Sequence, residues 1–254
     1  MRDMSNRLIE RLHQKRALQR WRRLAQRART ANFRNLRRIL TMSQALSEQI
    51  STTQNTAHAR LNRPTEPTGL PTSTDWFCRP DFWAAPTLPR GHAPANAQTR
   101  LSDQVTLYHD CKTPGLCVRQ ISPVEIGKTD AFGLSMEVFA FDGSFLSLVL
   151  HAPKLSVEGL KKTYILRVWM KIDCERPVDI SLRLNLQHGP NTEQVSKDVA
   201  LKDGCALVEF DLAYMPFREN RAEQIWFDLF FEKPSTNAIK IHDLILSRHL
   251  RAEV

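Results

Sequence analysis

Residues 164–172 read Tyr-Ile-Leu-Arg-Val-Trp-Met-Lys-Ile, in which Tyr164, Leu166, Val168, Met170 and Ile172 alternate with Arg167, Trp169 and Lys171. Successive side chains of an extended chain point to opposite faces, so this spacing predicts a strand with one apolar and one polar face. The pattern repeats on both sides. Leu182, Leu184 and Leu186 alternate with Arg183, Asn185 and Gln187, and Ile225, Phe227, Leu229 and Phe231 alternate with Trp226, Asp228, Phe230 and Glu232. Leu134, Met136 and Val138 alternate with Ser135 and Glu137, and Phe145-Leu-Ser-Leu-Val-Leu150 is a buried-type run. With 105–108, 118–121, 206–211 and 239–247 this makes about nine short strands. Asp142-Gly143, His188-Gly-Pro-Asn191, Asp203-Gly204 and Lys233-Pro-Ser-Thr-Asn237 mark turns between them. Many short alternating strands without intervening helices predict an antiparallel β-sandwich over 105–254, of jelly-roll type.

Upstream the period changes. From Leu8 to Ile50 there is neither proline nor glycine, and Leu8, Leu12, Leu18, Trp21, Ala25 and Ala28 recur at threes and fours, as do Phe33, Leu36 and Leu40. Residues 1–63 hold 15 Lys+Arg against 3 Asp+Glu, a net of +12, whereas the other 191 residues hold 21 against 24, a net of −3. The N-terminal stretch therefore reads as a basic amphipathic α-helical arm, with a break or cap at Ala31-Asn32-Phe33. Three roles fit it. Arg16, Arg20, Trp21, Arg22, Arg23 and Arg27 could meet an anionic membrane surface, with Trp21, Leu18 and Phe33 inserted. The same arginines could neutralise nucleic-acid phosphates. The apolar stripe could instead pack on another helix, coiled-coil fashion, in a homo-oligomer. No helix-turn-helix spacing, zinc finger or RRM aromatic motif accompanies the arginines.

Between arm and body, 64–104 is a Pro- and aromatic-rich connector. Pro64 to Pro71 reads as a linker, and Trp76, Phe77, Phe82 and Trp83 fall within eight residues ahead of Pro86, Pro89 and Pro94. Proline this dense excludes long regular elements, and the aromatics read as a clamp packed over the edge of the main domain.

The polar sides of three strands carry the candidate site. If these strands are neighbours, Trp169, Arg183, Asn185, Trp226 and Asp228 share one outer face, where flat rings can stack on a sugar and planar polar groups can bond its hydroxyls. His188 and Asn191, with Glu193, could extend the site from a loop at one end of the sandwich. Catalytic chemistry is thinly represented. His109-Asp110-Cys111 places three reactive types in a row, but consecutive side chains of an extended segment face opposite ways. No Gly-rich phosphate loop, Gly-x-Ser-x-Gly or His-Glu-x-x-His occurs. The five cysteines include no Cys-x-x-Cys pair, which predicts free thiols and no zinc site, and no acidic cluster is dense enough to place calcium. No cofactor is expected. The polar N-terminus lacks the apolar core of a secretory signal, and no apolar run reaches the length of a membrane span. These features point to the cytoplasm, with the arm able to hold the protein at the membrane periphery; a mitochondrial transit peptide is the minor alternative.

Tyr108-His-Asp-Cys111, Phe139-x-Phe-Asp-Gly-Ser-Phe-Leu-Ser-Leu-Val-Leu150, Arg183-Leu-Asn185 with His188-Gly-Pro-Asn-Thr-Glu-Gln194, Glu209-Phe-Asp-Leu-Ala-Tyr214 and Trp226-x-Asp-Leu-x-Phe-Glu232 together resemble an uncharacterised alphaproteobacterial family. The resemblance covers residues 75–254 and brings no activity with it. The closing strands are similar to those of galactose-binding-like and carbohydrate-binding jelly rolls, a likeness of fold that does not license function. The expectation from the residues is a non-enzymatic binding protein. Its sandwich would recognise a glycan or similar polar ligand, with the arm anchoring or oligomerising it. The alternative is an adaptor whose basic helix binds membrane or nucleic acid while the sandwich presents it.

Overall fold

The computed structural model describes residues 2–61, 70–113, 115–123 and 131–251. The chain divides into two compact units, Met1–Asn55 and Thr56–Val254. The first is helical: α1 (Arg2–Ala28) is followed by α2 (Phe33–Leu61). The break between them has a physical cause. Asn32 stands outside the second helix and its Oδ1 accepts the Asn35 backbone N–H at 3.0 Å, satisfying one of the donors a helix start leaves free. No helix among the described residues is long and apolar enough to cross a membrane. The linker read at 64–71 falls mostly outside the described residues.

The second unit contains a short helix, α3 (Asp81–Ala84), and thirteen strands among the described residues. The first seven are β1 (Thr74–Cys78), β2 (Gly91–His92), β3 (Gln98–Arg100), β4 (Val105–His109), β5 (Gly115–Ile121), β6 (Gly133–Ala140) and β7 (Leu146–His151). The others are β8 (Tyr164–Cys174), β9 (Asp179–His188), β10 (Asn191–Asp198), β11 (Cys205–Asp211), β12 (Ala222–Glu232) and β13 (Asn237–Leu250). They form two sheets, one ordered β11-β8-β13-β6-β5-β2 with β1 also paired to β13, the other ordered β10-β9-β12-β7-β4-β3. All the pairings are antiparallel. From β6 onward the chain changes sheet at every connection except the β9–β10 hairpin. The fold is thus the expected mainly-β antiparallel sandwich behind N-terminal helices.

The core lies where the alternating apolar residues meet. Leu166, Val168, Met170 and Ile172 of β8, Leu182, Leu184 and Leu186 of β9, and Ile225, Phe227, Leu229 and Phe231 of β12 are all buried in one cluster. Each such side chain contributes about 1.5–3 kcal/mol through its removal from water. At Asp203-Gly204 both residues have positive φ, 52° and 74°, as a two-residue hairpin turn between right-twisted strands requires.

The connector belongs to the sandwich rather than standing between two domains. It supplies β2 to the edge of one sheet, β1 alongside β13 of that same sheet, and β3 to the edge of the other. Its aromatics do clamp: Phe82 and Trp83 are buried, their rings meet edge to face at 5.3 Å, and the Trp83 indole N–H donates to the Ile241 carbonyl at 3.1 Å. Two enclosed ion pairs fasten the segment to β13. Arg79 grips Asp243 through two hydrogen bonds of 2.8 and 2.9 Å, and Arg248 grips Asp75 through two of 2.9 Å. Arg248 also bonds the Ser156 and Glu158 carbonyls and lies over the Tyr164 ring. Paired, planar bonding of this kind lets a guanidinium remain charged away from water.

Candidate functional site

Strands β9 and β12 are neighbours in the second sheet, and their register sets Asn185 opposite Trp226 and Arg183 opposite Asp228. Leu182, Leu184 and Leu186 of β9 and Phe227, Leu229 and Phe231 of β12 point into the core, so these four side chains point out. The adjoining strands extend two rows across the face. Gln194, Asn185, Trp226 and His151 form the first, over β10, β9, β12 and β7. Ser196, Arg183, Asp228, Val149 and Thr106 form the second, continuing onto β4. With strands about 4.8 Å apart, the first row spans roughly 14 Å.

The face has a polar floor and a larger-sided rim. Asn185, Asp228, Thr106 and Ser147 are buried although they point away from the core, while Arg183, Trp226, His151, Phe230 and Tyr108 are half-buried. Asp228 Oδ2 accepts from Arg183 Nε at 2.8 Å and from Asn185 Nδ2 at 2.9 Å. Gln194 Nε2 donates to Asn185 Oδ1 at 2.8 Å. The Arg183 guanidinium lies 4.8 Å over the centre of the Phe230 ring. Each group fixes the next, so amide, carboxylate and guanidinium are held in place beside an indole. The buried Ser147 hydroxyl has no hydrogen-bond partner among the described residues.

His151 completes the rim. The Gln224 amide donates to its Nδ1 at 3.2 Å, which places the neutral ring's proton on Nε2. Burial lowers the pKa of His151 from its ordinary 6.5, with the charge of Asp228 opposing that shift. On the other sheet His249 is also lowered, by burial and then by Arg167, with Glu209 opposing. A histidine held neutral in the fold supports stability above its unfolded value and loses that support as pH falls. Thermal unfolding is therefore expected at a temperature a few degrees lower at pH 5.5 than at pH 7.5. Replacing both histidines by Gln should narrow the gap, and an unchanged gap in that double variant would contradict the assignment.

Three of the expected site residues lie elsewhere. Trp169 is on β8, in the other sheet, where it stands between Leu207 and Ile245 and apart from Asn185, Trp226 and Asp228. Alternation along a strand reports a shared face but not the sheet that the strand joins. His188 is not presented on a loop. It ends β9 with the same parity as Leu182, Leu184 and Leu186, is buried, and places Nε2 3.2 Å from Glu193 Oε1. Asn191 is exposed at the start of β10, paired with His188 across a two-residue turn in which Gly189 has φ 61°. Sequence reading missed Gln194 and His151. Strand β10 has no apolar alternation to betray it, whereas His151 follows directly on the run at 145–150.

His109-Asp110-Cys111 has a structural use. His109 Nδ1 accepts the Cys111 N–H at 3.2 Å and its Nε2 lies 3.3 Å from the Ala95 carbonyl, so both ring nitrogens are occupied. The Cys111 thiol donates to Asp142 at 2.6 Å, and Asp110 accepts from the Ser144 N–H and hydroxyl. Ser144's hydroxyl holds Asp110 below the usual carboxylate range, as the Cys111 thiol does Asp142. The three residues staple the end of β4 to the turn before β7. A Cβ on Gly143 would collide with Asp110 Oδ1 and sit 3.0 Å from the Cys111 nitrogen, which explains the glycine in that turn. All five cysteines are free, and burial pushes the Cys78 thiol up to about 12. Among the described residues no group of His, Cys, Asp or Glu is arranged to hold a metal ion.

Solved structures similar to this chain include the family 11 carbohydrate-binding module of the cellulosomal cellulase Lic26A-Cel5E of Clostridium thermocellum, at 13% identity over 63% of this chain and 99% of that one, with a TM-score of 0.38. The xylan-binding CBM22-1 domain of Paenibacillus barcinonensis Xyn10C matches at 9% identity over 64% and 100%, with a TM-score of 0.35. TmCBM61 in complex with β-1,4-galactotriose matches at 12% identity over 59% and 90%, with a TM-score of 0.35. At such scores none of them bears on the ligand. No curated protein matches the sequence. A family profile matches residues 1–254 throughout, and the chain belongs to DUF6478, a family of unknown function.

Proposed function

We propose that the protein is a non-enzymatic binding protein whose second sheet holds a glycan or similarly hydroxyl-rich ligand on its outer face. One observation carries this reading. The network of Gln194, Asn185, Asp228 and Arg183 points out of the sheet, with Asn185 and Asp228 buried, next to the half-buried Trp226. An ordinary solvated sheet face has no need of a buried amide and a buried carboxylate, since burying such groups costs free energy unless they are bonded. Immobilised in this way, Asn185, Asp228 and Arg183 keep oriented donors and acceptors beside a flat ring, which is what recognition of a pyranose requires. In this reading the basic arm anchors the sandwich and does not read the ligand.

A glycan array probed with the full chain tests the reading. Binding is expected to persist at 500 mM salt, because stacking on a neutral sugar is little screened, and to be lost in Trp226→Ala. Binding only to acidic glycans, abolished by salt, would move recognition onto the arm.

A further inference from the structure

The arm's charge is arranged, not merely abundant. Between Glu10 and Glu48 the sequence has no acidic residue, while Arg11 to Arg38 contains eleven Lys+Arg. Nothing along either helix is therefore placed at i±3 or i±4 to neutralise the arginines of the middle of α1. Arg16, Arg20, Arg23 and Arg27 follow at spacings of four, three and four, which puts them on one face of α1. They line a shallow groove of about 460 Å³ with Gln19 and Leu24. Trp21 and Arg22, grouped with them on sequence alone, do not line it. At 1.5 Å per residue the four guanidiniums extend over about 16 Å of helix.

We infer that this stripe is a binding site for the phosphate backbone of a nucleic acid, independent of the ligand face on the sandwich. Two features favour nucleic acid over an anionic membrane. Among the residues of α1 whose side chains are described, the exposed large apolar ones are Leu12 and Leu18, at 58% and 55% exposure. Six positions separate them, about a third of a turn around the helix, and Trp21 beside Leu18 is half-buried, so the exposed apolar residues do not line up to sink into a bilayer. The stripe is also all arginine. The guanidinium fork bonds phosphate oxygens in pairs, and along a single strand phosphates follow about every 3.4 Å, so a 16 Å row of four forks meets several in succession. The groove contains no base-reading arrangement, and binding is sequence-independent.

The test is fluorescence anisotropy of a labelled 20-base-pair duplex titrated with the full chain between 50 and 200 mM salt. Four phosphate contacts give a slope of log affinity against log salt of about −3.6, or roughly a hundredfold weakening across that range. The variant Arg16→Gln, Arg20→Gln, Arg23→Gln, Arg27→Gln keeps residues of similar helix propensity and should lose nearly all of that slope, with helicity by circular dichroism unchanged. The variant Arg34→Gln, Arg37→Gln, Arg38→Gln removes charge from α2 and should keep most of it. Equal losses in both variants would overturn the stripe as the site. So would absence of duplex binding at 50 mM salt, or binding confined to vesicles of one-third phosphatidylserine in phosphatidylcholine.

Discussion

Trp83→Ala is expected to lower the stability of the sandwich by about 3–5 kcal/mol, the range for deleting a large aromatic from a packed interior. Trp83 is fully buried, yet it comes from a segment with prolines at 80, 86 and 89 that reads as irregular. Its indole holds the Ile241 carbonyl, its own carbonyl accepts the Phe132 N–H at 2.9 Å, and its ring meets Phe82. Truncation opens a cavity and leaves the Ile241 carbonyl without that donor. The neighbouring ion pairs, Arg79 with Asp243 and Arg248 with Asp75, would keep the connector close but could not fill the space. Chemical denaturation measures the effect as a shift in midpoint at constant slope. A loss below 1 kcal/mol would show that the connector is a strap laid on a self-sufficient sandwich.

Arg183→Met should cost about 3 kcal/mol or more, for a different reason. Asp228 is left as a carboxylate 6% exposed, with Asn185 as its remaining side-chain partner. Removing one member of an enclosed ion pair leaves the other charge uncompensated, and that penalty exceeds the worth of the pair itself. Arg183 is itself about a third exposed, so the reverse change, Asp228→Ala, should cost less, because water reaches the stranded cation. Adding Asp228→Asn to Arg183→Met removes the charge and keeps an acceptor for Asn185. This double variant should recover most of the lost stability and none of the ligand binding. Recovery of both would mean that the network is structural only.

Much of this fold is visible in the alternation at 164–172, 181–187 and 225–232, because a half-buried strand needs one apolar and one polar face. The neighbouring of β9 and β12 placed Arg183, Asn185, Trp226 and Asp228 together as their parity implied. Trp169 escaped because pairing is set by contacts distant in sequence, which local alternation does not encode. For the same reason nothing near Thr74 announced that β1 would pair with β13, with Thr74 opposite His249. Strand β10 carries a single apolar residue, Val195, on its inner face, and as an edge strand it needs no apolar set to be held. His188 could have been placed correctly, since its parity matches the leucines of its own strand. Composition and period mark the arm as basic and amphipathic with a break at Ala31-Asn32-Phe33; only the helical positions of its arginines separate the stripe from Trp21 and Arg22.

The most direct test of the ligand face is calorimetric titration of the full chain with the strongest array ligand, for the wild type and for two single variants. Trp226→Ala should weaken binding about tenfold or more, because an aromatic platform is lost. Trp169→Ala should leave affinity unchanged, because that indole lies on the opposite sheet. Loss in Trp169→Ala with retention in Trp226→Ala would contradict the account and place recognition on the other side of the sandwich.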